Sequence, residues 1–306
     1  MLFSLVKDYQ STYGVGIINN DEPKFKVKNF DLIEVYEMYP KARLIDKAPN
    51  LLFLHGFMGS HLDWLPIICS LNALNANISK YCRIHLINLP GHGGAKIGDK
   101  IITFDSVISA LKQYIIRETS GPLIYIGYSM GGRIALNLAE NHNTKGIFLE
   151  SSSPGIIDEE ERRIRMQKDS ELLKGVLEFK KFLENWYELP LFSGIKTSAD
   201  YKNHLEQKLR NDPQELQKAI QILSVGNHPH LWEKINNFEF PITYICGLDD
   251  QKYSNIGKKL KKCYKNLNKN LNINVDFIPN CSHNVHLQKQ MIYMEKLNRF
   301  LTSIIA

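Results

Sequence analysis

The chain has 306 residues, with 38 Lys and Arg against 32 Asp and Glu for a net charge of +6. Hydrophobic residues make up 43% and charged residues 23%, near the average of soluble globular proteins. That balance excludes a disordered chain, a collagen-like fibre and a disulfide scaffold, and an excess of this size is no nucleic-acid footprint.

Arginine is scarce beside lysine, 9 against 29, so a place where arginines gather stands out. The apolar run at residues 1–6, ahead of Lys7 and Asp8, is too short for a signal peptide and lacks the Arg/Ser-rich character of a transit peptide. No stretch approaches the length of a membrane span, so no stable membrane insertion is expected. The five cysteines (Cys69, Cys82, Cys246, Cys263, Cys281) are odd in number, widely spaced and without a CxxC pair. They read as thiols of a reducing compartment, and not as a disulfide or zinc framework.

Short apolar runs alternate with helix-period segments, the pattern of a mostly parallel, doubly wound α/β sheet. The first strand is predicted over 31–36 and the second over 51–54. The second runs into His55-Gly56-Phe57-Met58-Gly59, a loop placed to offer a backbone N–H to an oxyanion hole. A strand over 84–88 leads into Asn88-Leu89-Pro90-Gly91-His92-Gly93, which reads as a turn. Phe104, Val107, Ile108, Leu111, Tyr114 and Ile115 recur at three- and four-residue steps and mark one face of an amphipathic helix.

The strand over 123–127 is followed by Gly127-Tyr128-Ser129-Met130-Gly131, a G-x-S-x-G ahead of a predicted helix. On such a strand-turn-helix elbow the serine hydroxyl is presented above the sheet, and the helix N-terminus favours developing negative charge. The candidate oxyanion donors are the N–H groups of Phe57 and Met130. After a strand over 146–149 the alternation stops. Residues 152–239 are helical and charged, and they read as a cap inserted over the sheet's C-terminal edge, where open α/β sheets bind ligands. The core is then 1–151 with 240–306, of which 1–47 is an N-terminal extension adding edge strands.

The strand over 242–246 leads to Gly247-Leu248-Asp249-Asp250, and that over 275–278 to Pro279-Asn280-Cys281-Ser282-His283, with His286 one turn on. Acid and base should follow the serine in that order. Of the adjacent acids and the two histidines, Asp250 and His283 are taken as the partners of Ser129. Six lysines between 258 and 269 read as a solvated helix face.

These elements resemble the α/β-hydrolase superfamily. Within it, several segments resemble the 2-succinyl-6-hydroxy-2,4-cyclohexadiene-1-carboxylate (SHCHC) synthases of the menaquinone and phylloquinone pathway. They include His55-Gly56-Phe57-Met58-Gly59-Ser60 with Asp63-Trp64, and Gly127-Tyr128-Ser129-Met130-Gly131-Gly132-Arg133. Further segments are Glu150-Ser151-Ser152-Ser153-Pro154-Gly155, Glu161-Arg162 with Arg165 and Asp169, and Trp186-Tyr187 with Pro190-Leu191-Phe192. Arg210 ahead of Pro229 and Leu231-Trp232, and Gly247 with Asp250 and Lys252-Tyr253, complete the match from about residue 50 onward. Departures are Ser282 for a common glycine, His228 for glutamine, Tyr253 for phenylalanine and Asn88 for aspartate.

The resemblance implies a lyase that eliminates pyruvate from 2-succinyl-5-enolpyruvyl-6-hydroxy-3-cyclohexene-1-carboxylate, with no metal and no organic cofactor. Ser129, His283 and Asp250 would remove a ring proton, and the oxyanion hole would hold the enolate. Arginines suit planar, bidentate carboxylate recognition. Three of the nine, Arg162, Arg163 and Arg165, cluster at the start of the cap, and Arg133 lies four residues past Ser129. Arg133, Arg165, Arg162 and Arg210 are therefore the expected anchors of a small polycarboxylate substrate, with Trp186 and Tyr187 walling the pocket. A monomer or weak homo-oligomer is expected. The alternatives are a serine carboxylesterase or carbon–carbon bond hydrolase with the same triad, and a non-catalytic binding protein of the same fold.

Overall fold

The computed structural model describes residues 25–39, 47–74, 78, 81–140, 143–265 and 273–305. Most of the proposed N-terminal extension, residues 1–24 and 40–46, lies outside the described residues, as do residues 266–269 of the lysine-rich run. The strands are β1 (Phe25–Phe30), β2 (Ile33–Met38), β3 (Asn50–Leu54), β4 (Arg83–Asn88), β5 (Leu123–Tyr128), β6 (Thr144–Glu150), β7 (Ile242–Gly247) and β8 (Ile273–Ile278). They form a sheet in the order β1-β2-β4-β3-β5-β6-β7-β8. Pairings from β4 through β8 are parallel, while β2 runs antiparallel to both β1 and β4. The strand expected over 31–36 lies two residues later. Asp31 takes φ 47° in the two-residue turn from β1, so extended pairing starts only at Ile33.

The helices are α1 (Leu65–Leu74), α2 (Phe104–Glu118), α3 (Met130–Leu138), α4 (Glu159–Glu171), α5 (Phe179–Trp186), α6 (Tyr201–Lys208), α7 (Pro213–Ile222), α8 (Gln251–Lys265), α9 (Val285–Gln288) and α10 (Gln290–Ile305). Successive strand residues face opposite layers, which is why the central strands read as unbroken apolar runs. Leu52, Leu54 and Tyr125 pack with Val107, Leu111 and Tyr114 of α2 and Ile134 of α3. Leu51, Phe53, Ile124 and Ile126 face the other side, with Ile67 and Leu71 of α1 and Leu297 and Leu301 of α10. Each such side chain removed from water contributes about 1.5–3 kcal/mol before entropy is set against it.

The six apolar residues spaced along α2 are all buried. Thr103 and Ser106 close a capping box at its start, each side chain accepting from the other's backbone N–H at 3.2 and 2.9 Å. Between β6 and β7 there is no strand. Asp158 caps α4 by accepting the Glu161 N–H at 2.7 Å, and three glutamates fill that first turn, where the helix dipole favours them. Leu173, Leu183 and Leu216 of this segment bury against Met58, in the loop after β3. An apolar seam therefore joins the inserted helices to the edge of the sheet.

A close backbone approach lies under the elbow, where a Cβ at Gly131 would stand 2.1 Å from the Leu54 carbonyl oxygen. Gly131→Ala is expected to destabilise the fold by about 3 kcal/mol or more, because β3 cannot retreat without unpairing from β4 and β5. Urea unfolding of the variant checks this; a midpoint like that of the native chain would contradict it.

Candidate active site

Parallel strands bring their C-terminal ends to one edge, and the loops after β3, β5, β7 and β8 meet there. The loop after β5 is a single residue, Ser129, with φ 50° and ψ −107°. That conformation is strained for any residue with a Cβ. It is held by the Ser129 N–H donating to the Glu150 carbonyl at 2.9 Å and by the Ser152 hydroxyl donating to the Ser129 carbonyl at 2.9 Å. Gly127 and Gly132 let the turn close, since a Cβ on Gly127 would sit 2.5 Å from the Gly132 Cα.

His283 Nε2 lies 3.0 Å from Ser129 Oγ, and its Nδ1 lies 2.7 Å from Asp250 Oδ2. A carboxylate only accepts, so Nδ1 carries the proton and Nε2 accepts from the serine hydroxyl. The second Asp250 oxygen accepts the Tyr253 N–H at 3.1 Å, and the His283 N–H donates to the Leu191 carbonyl at 3.2 Å. His283 and Asp250 are both buried, with the Tyr253 ring 4.5 Å from the imidazole.

The neighbouring residues that the motifs left as alternatives point elsewhere. Asp249 is exposed. His286 donates its backbone N–H to Glu150 Oε1 at 3.0 Å and its Nδ1–H to Oε2 at 2.7 Å. Glu150 is fully buried, so this pair ties the loop carrying His283 to the strand end that receives the Ser129 amide.

One pocket collects Ser129, His283, Phe57, Met130, Arg133, Arg165, Trp186 and Tyr187. Met130 opens α3, so its N–H has no intrahelical carbonyl. The loop bearing Phe57 is pinned by His55, whose Nδ1–H donates to the Gly56 carbonyl at 2.8 Å while Nε2 accepts the Leu89 N–H at 3.1 Å. Trp186 meets the Phe57 ring edge to face at 6.1 Å. Arg133 is 6% exposed, and Nη2 donates to the Leu223 carbonyl at 3.0 Å. Burial, with Arg165 nearby, draws its pKa down to about 10, which leaves it a cation at neutral pH. Arg165 donates from Nε to Asp169 Oδ1 at 2.8 Å, and the other Asp169 oxygen accepts from Ser224 at 2.7 Å.

Arg162, Arg163 and Arg210 do not line this pocket. Arg162 spends Nε and Nη2 on the Gly226 carbonyl, Arg163 pairs with Glu160 on the surface, and Arg210 is exposed. Helix geometry alone does not decide this: on α4, Arg165 follows Arg162 at a near-turn spacing, but the Gly226 carbonyl holds Arg162 while Arg165 reaches the cavity. Lys208 and His204 of α6 do line it, although no motif marks either residue. Among the described residues no cluster of His, Cys, Asp or Glu has the makeup of a metal site. Burial pushes the Cys82, Cys246 and Cys281 thiols up to about 12, so none is a ready nucleophile.

His228 is fully buried, stacked on Phe104 with ring centroids 5.0 Å apart, and its Nδ1–H donates to the Pro229 carbonyl. Burial first, and the Arg133 charge second, hold its pKa at about 3 against an ordinary 6.5. Between those values the unfolded chain binds the extra proton, so this group's contribution to stability is present above pH 6.5 and is lost as pH falls toward 3. His228→Gln is expected to flatten the decline in stability between neutral pH and about pH 5. Urea melts at the two pH values check this, and an unchanged slope would contradict it.

The family model described as alpha/beta hydrolase fold matches residues 49–290. The chain is 30% identical over 268 residues to the chloroplastic protein PHYLLO of Arabidopsis thaliana, and the match spans 15% of that protein's length. It is 30% identical over 246 residues to the 2-succinyl-6-hydroxy-2,4-cyclohexadiene-1-carboxylate synthase of Enterobacter sp. (strain 638), covering 78% of this chain and 86% of that one. The solved structure of MenH from S. aureus superposes with a TM-score of 0.77 at 25% identity, covering 89% of this chain and 99% of that one. The chain belongs to the α/β-hydrolase fold family and, within it, to the family of the 2-succinyl-6-hydroxy-2,4-cyclohexadiene-1-carboxylate synthases.

Proposed function

We propose that the chain is a carbon–oxygen lyase that eliminates pyruvate from 2-succinyl-5-enolpyruvyl-6-hydroxy-3-cyclohexene-1-carboxylate to give SHCHC. The observation that carries this reading is Arg133. It is a buried guanidinium with a backbone carbonyl for a partner, on the wall of the pocket that holds Ser129. A cation desolvated without a carboxylate is costly unless a ligand supplies one. The proposed substrate has three carboxylates, and the family's name, carried by the Enterobacter relative, specifies that product.

In the proposed reaction His283 accepts the Ser129 proton as Ser129 Oγ takes the ring proton α to the succinyl ketone, and Asp250 stabilises the imidazolium. The electron pair moves onto the ketone oxygen, which the N–H groups of Phe57 and Met130 receive. A well-placed donor at that position contributes about 3 kcal/mol. Collapse of the enolate breaks the allylic C–O bond, and the leaving enolpyruvate takes up a proton to become pyruvate. Arg133 and Arg165 anchor carboxylates, while Trp186 and Tyr187 wall the ring. The helices of 152–239 act as a cap on the core of 1–151 and 240–306. The activity belongs in a bacterial cytoplasm or a plastid stroma; no helix among the described residues is long and apolar enough to cross a membrane. Ester or carbon–carbon bond hydrolysis by the same triad on a substrate without carboxylates would leave Arg133 without a role.

The direct test is pyruvate release, with appearance of diene absorbance, from the enolpyruvyl precursor. Ser129→Ala should abolish both signals; a wild-type protein producing neither, or one that turns over simple esters instead, would overturn the reading. Arg133→Ala is expected to lower kcat/KM by about a hundredfold, and Arg133→Lys to recover only part, because an ammonium lacks the planar fork. Unchanged kcat/KM in both variants would remove Arg133 from the site.

A further inference from the structure

We propose that Asn211, in the link between α6 and α7, is a positioning residue that sets the direction of the Phe57 N–H; this rests on the oxyanion role given to that N–H above. Asn211 is buried and reaches the loop after β3 across 153 residues of sequence. Its Nδ2 donates to the Met58 carbonyl at 2.9 Å and to the Lys208 carbonyl at 3.2 Å, while Oδ1 accepts the Gly93 N–H at 3.0 Å. One side chain therefore joins the inserted helices to the loops after β3 and β4.

Two peptide planes carry the effect from Asn211 to Phe57. A peptide unit is flat and trans, so fixing its C=O fixes the N–H on its opposite side. The Met58 carbonyl, held by Asn211, shares a unit with the Gly59 N–H, which donates to the Gly56 carbonyl at 3.0 Å. The Gly56 carbonyl in turn shares a unit with the Phe57 N–H, and His55 Nδ1–H donates to it from the other direction.

Met58 makes the tie necessary. It is the third residue of the turn closed by the Gly59–Gly56 hydrogen bond and takes φ 60°, at a place that usually goes to glycine or asparagine. A side chain at that angle is strained, so an unrestrained turn would relax to negative φ and swing the Met58 carbonyl away. Two restraints oppose this, and both come from the inserted helices. One is the Asn211 amide on the carbonyl; the other is Leu173, Leu183 and Leu216 packed around the Met58 side chain. A nearby tie of the same kind supplies a control. Glu215 of α7 accepts the Ile97 and Gly98 N–H groups, and neither it nor they line the pocket.

The experiment compares the wild type with Asn211→Ala, Asn211→Asp, Glu215→Gln, Met58→Gly and the double variant Met58→Gly/Asn211→Ala. One readout is pyruvate release; the other is reaction with diethyl p-nitrophenyl phosphate. In the second, Ser129 Oγ bonds to phosphorus, its proton passes to His283 and p-nitrophenolate leaves, while the phosphoryl oxygen occupies the hole. Asn211→Ala and Asn211→Asp are expected to lower kcat about thirtyfold with KM within about threefold, and to slow p-nitrophenolate release by a similar factor. Asn211→Asp keeps the acceptor for the Gly93 N–H but has no donor for Met58, so it serves if Asn211→Ala fails to fold. Glu215→Gln should stay within about threefold of wild type in both readouts. Glycine takes φ 60° without penalty, so the loss caused by Asn211→Ala should shrink to about fivefold in the Met58→Gly background. Asn211 variants within about twofold of wild type, an equal loss in Glu215→Gln, or an equal loss in both Met58 backgrounds would overturn the proposal.

Should the wild type release no pyruvate, the function reading fails on its own, and p-nitrophenolate release alone decides the role of Asn211. The same thirtyfold slowing, to about that factor, supports it; equal rates, or no reaction of the wild type, overturn it.

Discussion

Ser129 sits at φ 50° and ψ −107°, a conformation that costs about 1–3 kcal/mol for a residue with a Cβ, and the site depends on the surroundings that hold it there. Its amide and carbonyl are both engaged, by Glu150 and by the Ser152 hydroxyl, so the backbone cannot relax without losing hydrogen bonds. Gly127, Gly131 and Gly132 remove the Cβ atoms that would force strand and helix apart. The strain is thus borne by the sheet: β3 and β6 flank β5, and moving the elbow means moving them.

Glu150 joins this constraint to the base. Its carbonyl receives the Ser129 amide while its carboxylate holds His286 through two hydrogen bonds, three residues beyond His283. Ser129 and His283 follow strands far apart in the chain, yet their loops share one buried residue. The separation of Ser129 Oγ from His283 Nε2 is consequently a property of rigid elements, which is the condition for accurate proton transfer.

Charge in the pocket follows a consistent plan. Most buried histidines are made neutral by burial; His55, His85, His92, His204 and His228 all sit below their ordinary value for that reason first. The basic groups at the wall are instead Arg133, Arg165 and Lys208. Carboxylates brace Arg165 and Lys208, while Arg133 relies on a carbonyl.

By itself the sequence determined the strand pattern and the elbow, because these depend on local chemistry. Unbroken apolar runs follow from a sheet covered on both faces, and the glycines around Ser129 follow from close backbone contact. It also narrowed the hydrogen-bond partners expected for Ser129 to two histidines and two neighbouring aspartates. Only the tertiary structure decided between them, since His286 is engaged by Glu150, which is 136 residues away in the chain. The same holds for the cations. Arg162, Arg165 and Arg210 look alike in a linear reading, but Arg165 lines the cavity while Arg162 is held by the Gly226 carbonyl and Arg210 is exposed. Lys208 carried no signal among 29 lysines, because its distinction is burial against Asp63, a contact across 145 residues that no local pattern encodes.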